Sequence, residues 1–362
     1  MKSLSLLLAF AFCTSYGNTT VINVSNSPNA PVNPPYTVAT FQAGINAAGD
    51  GDTIYLHGTN ISYGDVNISN KDLVVIGAGF GNNLQNGTNT KTIVGTINFQ
   101  NYTGSKNVTL LGILMQEPKC GNDDNNTVNI LTIERCGIRP DGATNNFMRC
   151  NTLFFKQSVL GDHSNESTYF IPKVKANAYF SNSVLQGNIN GEFLSSSKFE
   201  NNIFKKTGNY NIYYYGRLDG INGTALFYNN IFFESYGLFV NNCTFNNNIF
   251  ENYGSLENAN TGTGNLFNTM AQVVTVGSKF SVMSRADFST AVDYKLAPES
   301  AGKNAGSDGK DIGIYGGTNP IPQALRINGV PALPRITQLT LKNMSVAPGG
   351  NLEIELKAEK VD

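Results

Sequence analysis

Four stretches in the middle of this 362-residue chain repeat one phrase: an aromatic residue, a polar residue, a pair usually made of asparagines, and two bulky apolar residues. Phe199, Asn201, Asn202, Ile203 and Phe204 form one copy. Phe227, Asn229, Asn230, Ile231 and Phe232 form the next, and Phe245, Asn247, Asn248, Ile249 and Phe250 a third; Phe180, Asn182, Ser183, Val184 and Leu185 give a looser fourth. With each copy anchored on the residue before its final apolar pair, fainter copies extend both ways. The anchors become Gly112, Cys136, Ser158, Ser183, Asn202, Asn230, Asn248 and Asn265, spaced 17 to 28 residues apart. That interval suits one solenoid coil per copy, with loops absorbing the variation.

The columns carry the physical argument. Three residues before the anchors stand Thr109, Ile133, Phe155, Phe180, Phe199, Phe227, Phe245 and Gly262. Two residues after them stand Leu114, Ile138, Leu160, Leu185, Phe204, Phe232, Phe250 and Phe267. A lone copy cannot bury its apolar face, whereas stacked copies bury one another. A β-sandwich would alternate too, but has no reason to keep one residue in one column. The Asn pairs suit turns: asparagine enters the left-handed region readily, so at least one of each pair is expected there, and stacked amides can form a ladder between coils. The 37 glycines fit the same turn-rich design.

Charged residues are only 14% of the chain and the net charge is -1. No basic footprint points to nucleic acid. The N-terminus reads as an export signal: Lys2, an apolar run from Leu4 to Phe12, then Ser15 and Gly17 at a small-x-small cleavage pattern, leaving residues 1–17 as signal peptide. The run is too short to span a bilayer comfortably, and no later stretch is long enough for a transmembrane helix. Phe12 before Cys13 is too bulky for a typical lipobox. Cys120, Cys136, Cys150 and Cys243 then remain; export permits disulfides, but the spacing suggests neither a disulfide scaffold nor a zinc site, and buried thiols are expected.

Thr40 to Ala48 places Phe41, Ile45 and Ala48 on one helical face; Gly49 to Asp52 stops the helix and Thr53 to Leu56 starts a strand. This order, with Tyr63 to Ile68 and Leu73 to Gly79 following it, resembles the N-terminal cap and first coils of pectate-lyase-like β-helix proteins. Asp311 to Gly317 is similar to the closing coil of secreted bacterial members of that superfamily. The resemblance covers roughly residues 37 to 320 and implies an all-β fold: a single-stranded right-handed parallel β-helix with a short N-terminal capping helix. The helix domain is accordingly placed at 18–320. Residues 321–362 follow as a proline-marked linker and a small β appendage, with strands at Ile336 to Leu341 and Leu352 to Leu356.

The resemblance specifies fold better than activity, because such folds host several chemistries. A lyase of this type would need a basic residue beside a uronate, often with calcium; a hydrolase would need clustered aspartates. Asp123 and Asp124 are the adjacent aspartate pair and the metal candidates, in a very polar turn. Asp308 to Asp311 reads as a turn. An outward column two residues before the anchors holds Glu134, Lys156, Ser181, Glu200, Tyr228 and Asn246, and Arg135 with Lys156 is the candidate catalytic base and anion-binding pair. His57 and His163, the two histidines, have no partner at motif spacing. Tyr213, Tyr215 and Arg217 lie in the longest gap between anchors and are the candidate substrate-binding residues, since aromatic faces and a guanidinium are suited to sugars. The sequence therefore leads to an exported, non-catalytic solenoid, monomeric and without cofactor, that serves at the surface or binds extracellular polysaccharide. The alternative is a polysaccharide lyase or glycoside hydrolase acting on an acidic polysaccharide, with calcium in the lyase case.

Overall fold

The computed structural model describes residues 19–59, 61–81, 91–120, 126–139, 147–160, 173–186, 189–193, 197–205, 218–219, 225–233, 240–251, 253–269, 294–321, 334–342 and 349–360. The signal segment 1–17, Asp123, Asp124, His163, Tyr213, Tyr215 and Arg217 lie outside them.

Two long sheets, all-parallel within each, face one another. The first runs through Thr37–Val38, Val21–Val24, Asp52–Leu56, Leu73–Ile76, Asn107–Leu111, Val128–Glu134, Phe147–Lys156, Lys173–Ser181, Lys198–Glu200, Leu226–Tyr228 and Thr244–Asn246. The second runs from Val66–Ser69 through Ile93–Gln100, Leu114–Lys119, Gly137–Ile138, Val159–Leu160, Val184–Gln186, Ile203–Lys205, Ile231–Phe233 and Ile249–Phe250 to Leu266–Phe267. The chain alternates between the sheets, so each coil adds one strand to each: a repeating parallel β-solenoid.

The aromatic columns fill its interior. Phe180, Phe199, Phe227 and Phe245 stack with ring centroids 5.0, 4.6 and 4.4 Å apart and planes within 9°. Phe204, Phe232, Phe250 and Phe267 stack likewise at 4.7, 4.7 and 5.2 Å. These separations match the distance between hydrogen-bonded strands, so register alone brings like rings into contact. The first column ends at Gly262, where a Cβ would lie 1.6 Å from the Phe245 carbonyl oxygen.

Between the columns runs a ladder of anchor residues. Asn230 Oδ1 accepts from Asn202 N at 2.9 Å and Asn202 Nδ2 at 3.1 Å; Asn248 and Asn265 repeat the pattern for Asn230 and Asn248. Each amide also donates to the aromatic carbonyl of the preceding coil: Asn202 to Phe180, Asn230 to Phe199, Asn248 to Phe227 and Asn265 to Phe245. Ser183 and Ser158 continue the ladder with hydroxyls that accept from Ser158 N and Cys136 N. The left-handed residue is the first of each Asn pair, Asn201, Asn229 and Asn247, with φ from 54° to 56°; Arg135, Gln157 and Asn182 occupy the same turn.

Toward the N-terminus the register corrects the sequence alignment by one residue. Gly137 pairs with Leu114 and Ile133 with Leu110. The anchor there is therefore Ile113, Leu110 holds the core column in place of Thr109, and Gly112 (φ 68°) takes the left-handed turn. A short helix, Phe41–Ala47, packs beside the first strands with Phe41 and Ile45 buried, its start capped by Thr40. The Gln42 carboxamide both donates to Asn67 O and accepts from Asn67 N on the edge strand of the second sheet, supplying the pair of bonds a neighbouring strand would make.

Residues 311–317 form no closing coil. They belong to an irregular strap, residues 294–321, that turns back along the outside of the coils. Tyr294, Leu296, Ile312, Ile314 and Ile321 cover the column of Val159, Val184, Ile203, Ile231 and Ile249. That column is buried, but beneath the strap and outside the aromatic interior. Beyond the strap, Pro334–Leu341 and Ile354–Lys360 form an antiparallel hairpin. Cys120, Cys136, Cys150 and Cys243 are buried free thiols. Burial pushes Cys120 and Cys136 up to about 12. Among the described residues no helix is long and apolar enough to cross a membrane.

Candidate functional site

Alternation along the strands of the first sheet sends every second residue outward. Two outward columns result. Register places Thr132, Phe154, Tyr179, Lys198, Leu226 and Thr244 in one, and Glu134, Lys156, Ser181, Glu200, Tyr228 and Asn246 in the other. The second is the column expected from the sequence; the first adds the aromatic pair that the sequence reading missed. Its signal was present: Phe154 and Tyr179 stand one residue before the core aromatics Phe155 and Phe180, hence on the opposite side of the strand.

Over four consecutive coils this face gathers Phe154, Lys156, Tyr179, Lys198, Glu200 and Tyr228, all partly exposed. Phe154 and Tyr179 stack at 5.1 Å. Lys156 Nζ lies 4.9 Å from the centre of the Phe154 ring, and Lys198 Nζ lies 5.3 Å from that of Tyr228 while donating to Glu200 at 2.7 Å. The ring quadrupoles thus attract both ammonium groups, and the Glu200 carboxylate fixes that of Lys198. The arrangement presents cations, ring edges and phenol hydroxyls along the solenoid axis, with Glu134 beside Lys156 in register.

Arg135 does not share this surface with Lys156. It sits in the left-handed turn with φ 53°, only 9% exposed, and its Nε donates to Gln157 Oε1 at 2.7 Å. Burial lowers its pKa against the opposing pull of Glu134. The two cations are consecutive in the repeat but belong to different columns, because the chain turns between them. His57 follows a strand of the first sheet, with its ring edge-on to Tyr55 at 5.0 Å, and lost hydration lowers its pKa.

Beside the outward face the first sheet forks. The N-terminal part of Lys173–Ser181 pairs with Ile189–Phe193, which pairs in turn with Leu218–Asp219, while the C-terminal part continues the main stack. Arg217 immediately precedes that lateral rung in the sequence. The Asp308 to Asp311 turn is tied into the strap: Asp311 pairs with Lys303 at 2.6 Å and accepts from Asn304 N. No group of three or more His, Cys, Asp or Glu residues among those described is placed to hold a metal ion. No family model matches the chain, and no curated protein matches it.

Proposed function

We propose that this chain is an exported, right-handed parallel β-helix of pectate-lyase-like type, closed at its front by the Phe41–Ala47 helix. It works as a non-catalytic scaffold that docks an extended extracellular polysaccharide along the outward face of its first sheet. The observation that carries this reading is the concentration of Phe154, Lys156, Tyr179, Lys198, Glu200 and Tyr228 on four adjacent coils, in a chain with little charge elsewhere. Phenol hydroxyls and ammonium groups in axial rows suit a polymer lying along the solenoid and offering a hydroxyl or carboxylate at each step. Tyr213, Tyr215 and Arg217, which precede the Leu218–Asp219 rung in the sequence, are proposed as further sugar contacts on the chemistry of their side chains. What supports a non-catalytic role is the engagement of the lysines: each lies against a ring, and Lys198 also pairs with a carboxylate, an arrangement that suits holding a polymer.

Calorimetric titration against a panel of neutral and acidic polysaccharides tests this. Wild type should bind at least one polymer saturably without degrading it, and Lys198→Ala/Tyr228→Ala should weaken that binding at least about tenfold, the equivalent of about 1.4 kcal/mol. Arg217→Ala should weaken it less. Unchanged binding by the double variant would remove the outward face from consideration. New reducing ends or unsaturated products would replace this reading with that of a lyase or hydrolase.

A further inference from the structure

The left-handed turns form a column of their own, and their side chains reach a second polypeptide segment. Gln157 Nε2 donates to Asn319 O and Pro320 O, Asn182 Nδ2 to Ile314 O and Gly316 O, and Asn247 Nδ2 to Ala305 O. Asn229 accepts from Ser307 N and donates to Ser307 Oγ. All but one of these bonds address the strap's main chain, which any sequence carries. Alongside lies the apolar column Val159, Val184, Ile203, Ile231 and Ile249, each at most 1% exposed beneath the strap. A row of amides next to an apolar rail is a surface built to hold an extended polypeptide.

One rung of that surface is imperfectly filled. Asn201 is 1% exposed, and its Oδ1 has no hydrogen-bond partner. The strap crosses it at Gly316 and Gly317; a Cβ at Gly317, already at φ 80°, would lie 2.2 Å from Asn201 Nδ2. The resident segment therefore fits by omission at Asn201, leaving an acceptor that a better-matched main chain would satisfy. The coils, by contrast, are held by the Asn202, Asn230 and Asn248 ladder, which makes no bond to the strap.

We propose that the turn column is a main-chain recognition track for an extended polypeptide, that residues 305–320 are its intramolecular occupant, and that the strap releases as a unit while the coils beneath stay folded. This is independent of the polysaccharide reading, which concerns another surface. Hydrogen exchange on the full wild-type chain tests release. Strap amides such as Ile312 and Gly313 should exchange through a lower-energy opening than the ladder amides of Asn202, Asn230 and Asn248; exchange of both sets in one global event overturns the proposal. The track is tested with a labelled synthetic peptide of residues 294–321. The full chain carrying Ile314→Asp/Gly317→Ala should keep its ladder protection and bind the peptide saturably at one site, at least about tenfold more tightly than wild type, whose own strap competes at high effective concentration. Adding Asn182→Ala and Asn229→Ala should weaken that binding by a further factor of about ten. Absence of saturable binding to a variant whose ladder is protected, or equal binding after loss of the amides, overturns the track.

Discussion

Solenoid strands and hairpin strands carry similar alternating patterns, yet they meet opposite fates. In Leu226–Tyr228 the central Phe227 is fully buried; in Ile354–Lys360, Leu356 is 52% exposed and Ile354 51%. Both segments obey the same local rule, apolar at every second position, and both are strands. The difference lies in what stands one strand away. Phe227 has Phe199 at 4.6 Å on one side and Phe245 at 4.4 Å on the other, with Phe204 and Phe232 across the interior. The hairpin is a two-stranded sheet whose strands pack chiefly on each other, and a sheet of that size cannot bury a face. Alternation specifies a strand; burial requires repetition at the coil interval.

The largest test of that contrast is Phe227→Ala. Removing a ring from the middle of an unbroken stack leaves a cavity bounded by two parallel rings that register holds apart. A loss of about 3–5 kcal/mol is expected in denaturant unfolding, the range for aromatic truncation in cores. A loss below about 1 kcal/mol would mean that the column contributes little beyond what a lone strand has.

Asn230→Leu should follow. The leucine keeps the volume but removes the acceptor for Asn202 N and Asn202 Nδ2 and the donor for Phe199 O, all in the dry interior. With buried polar groups costing about 1–3 kcal/mol each when orphaned, and Asn202 Nδ2 retaining Phe180 O, a loss of about 2–4 kcal/mol is expected. Ser158→Ala should cost less, because the serine hydroxyl accepts one bond and spends its proton on Lys156 O within its own coil. Equal losses at the two positions, measured by the same unfolding assay, would deny that the side-chain-to-side-chain rung adds anything.

Legibility in the sequence tracks the same physics. Where one residue type fills a column, as with Phe199, Phe227 and Phe245, each copy meets its own kind, so selection leaves a visible repeat. In the early coils the same column holds Val75, Leu110 and Ile133, and any aliphatic residue stacks acceptably; that freedom let the alignment slip to Gly112. The glycine itself was a sound clue to a left-handed turn, read one place out of register. The strap was unreadable for another reason. Ile312 and Ile314 sit in irregular chain with no period, and their partners lie 63 to 155 residues away, from Ile249 to Val159. The outward face was half legible. Its charged column follows from counting back from the anchors, whereas pairing Arg135 with Lys156 assumed a straight chain at the point where φ turns positive.

The smallest expected effect completes the contrast. Leu356 lies in a strand, is apolar and alternates with charged neighbours, so by sequence alone it ranks with Phe227 as a core position. Register sets it opposite Leu339, but more than half of its surface meets water, and its neighbours Leu341 and Ile354 are as exposed. Leu356→Lys therefore removes little buried area and brings no charge into a dry interior. Its effect on unfolding of the solenoid, followed by far-ultraviolet circular dichroism in urea, should stay within about 0.5 kcal/mol, as for ordinary surface changes. The lysine should also reduce self-association at high protein concentration, since it interrupts an apolar face. A loss comparable to that of Phe227→Ala would show that the hairpin face is covered in solution and energetically joined to the coils, and the comparison between the two regions would fail.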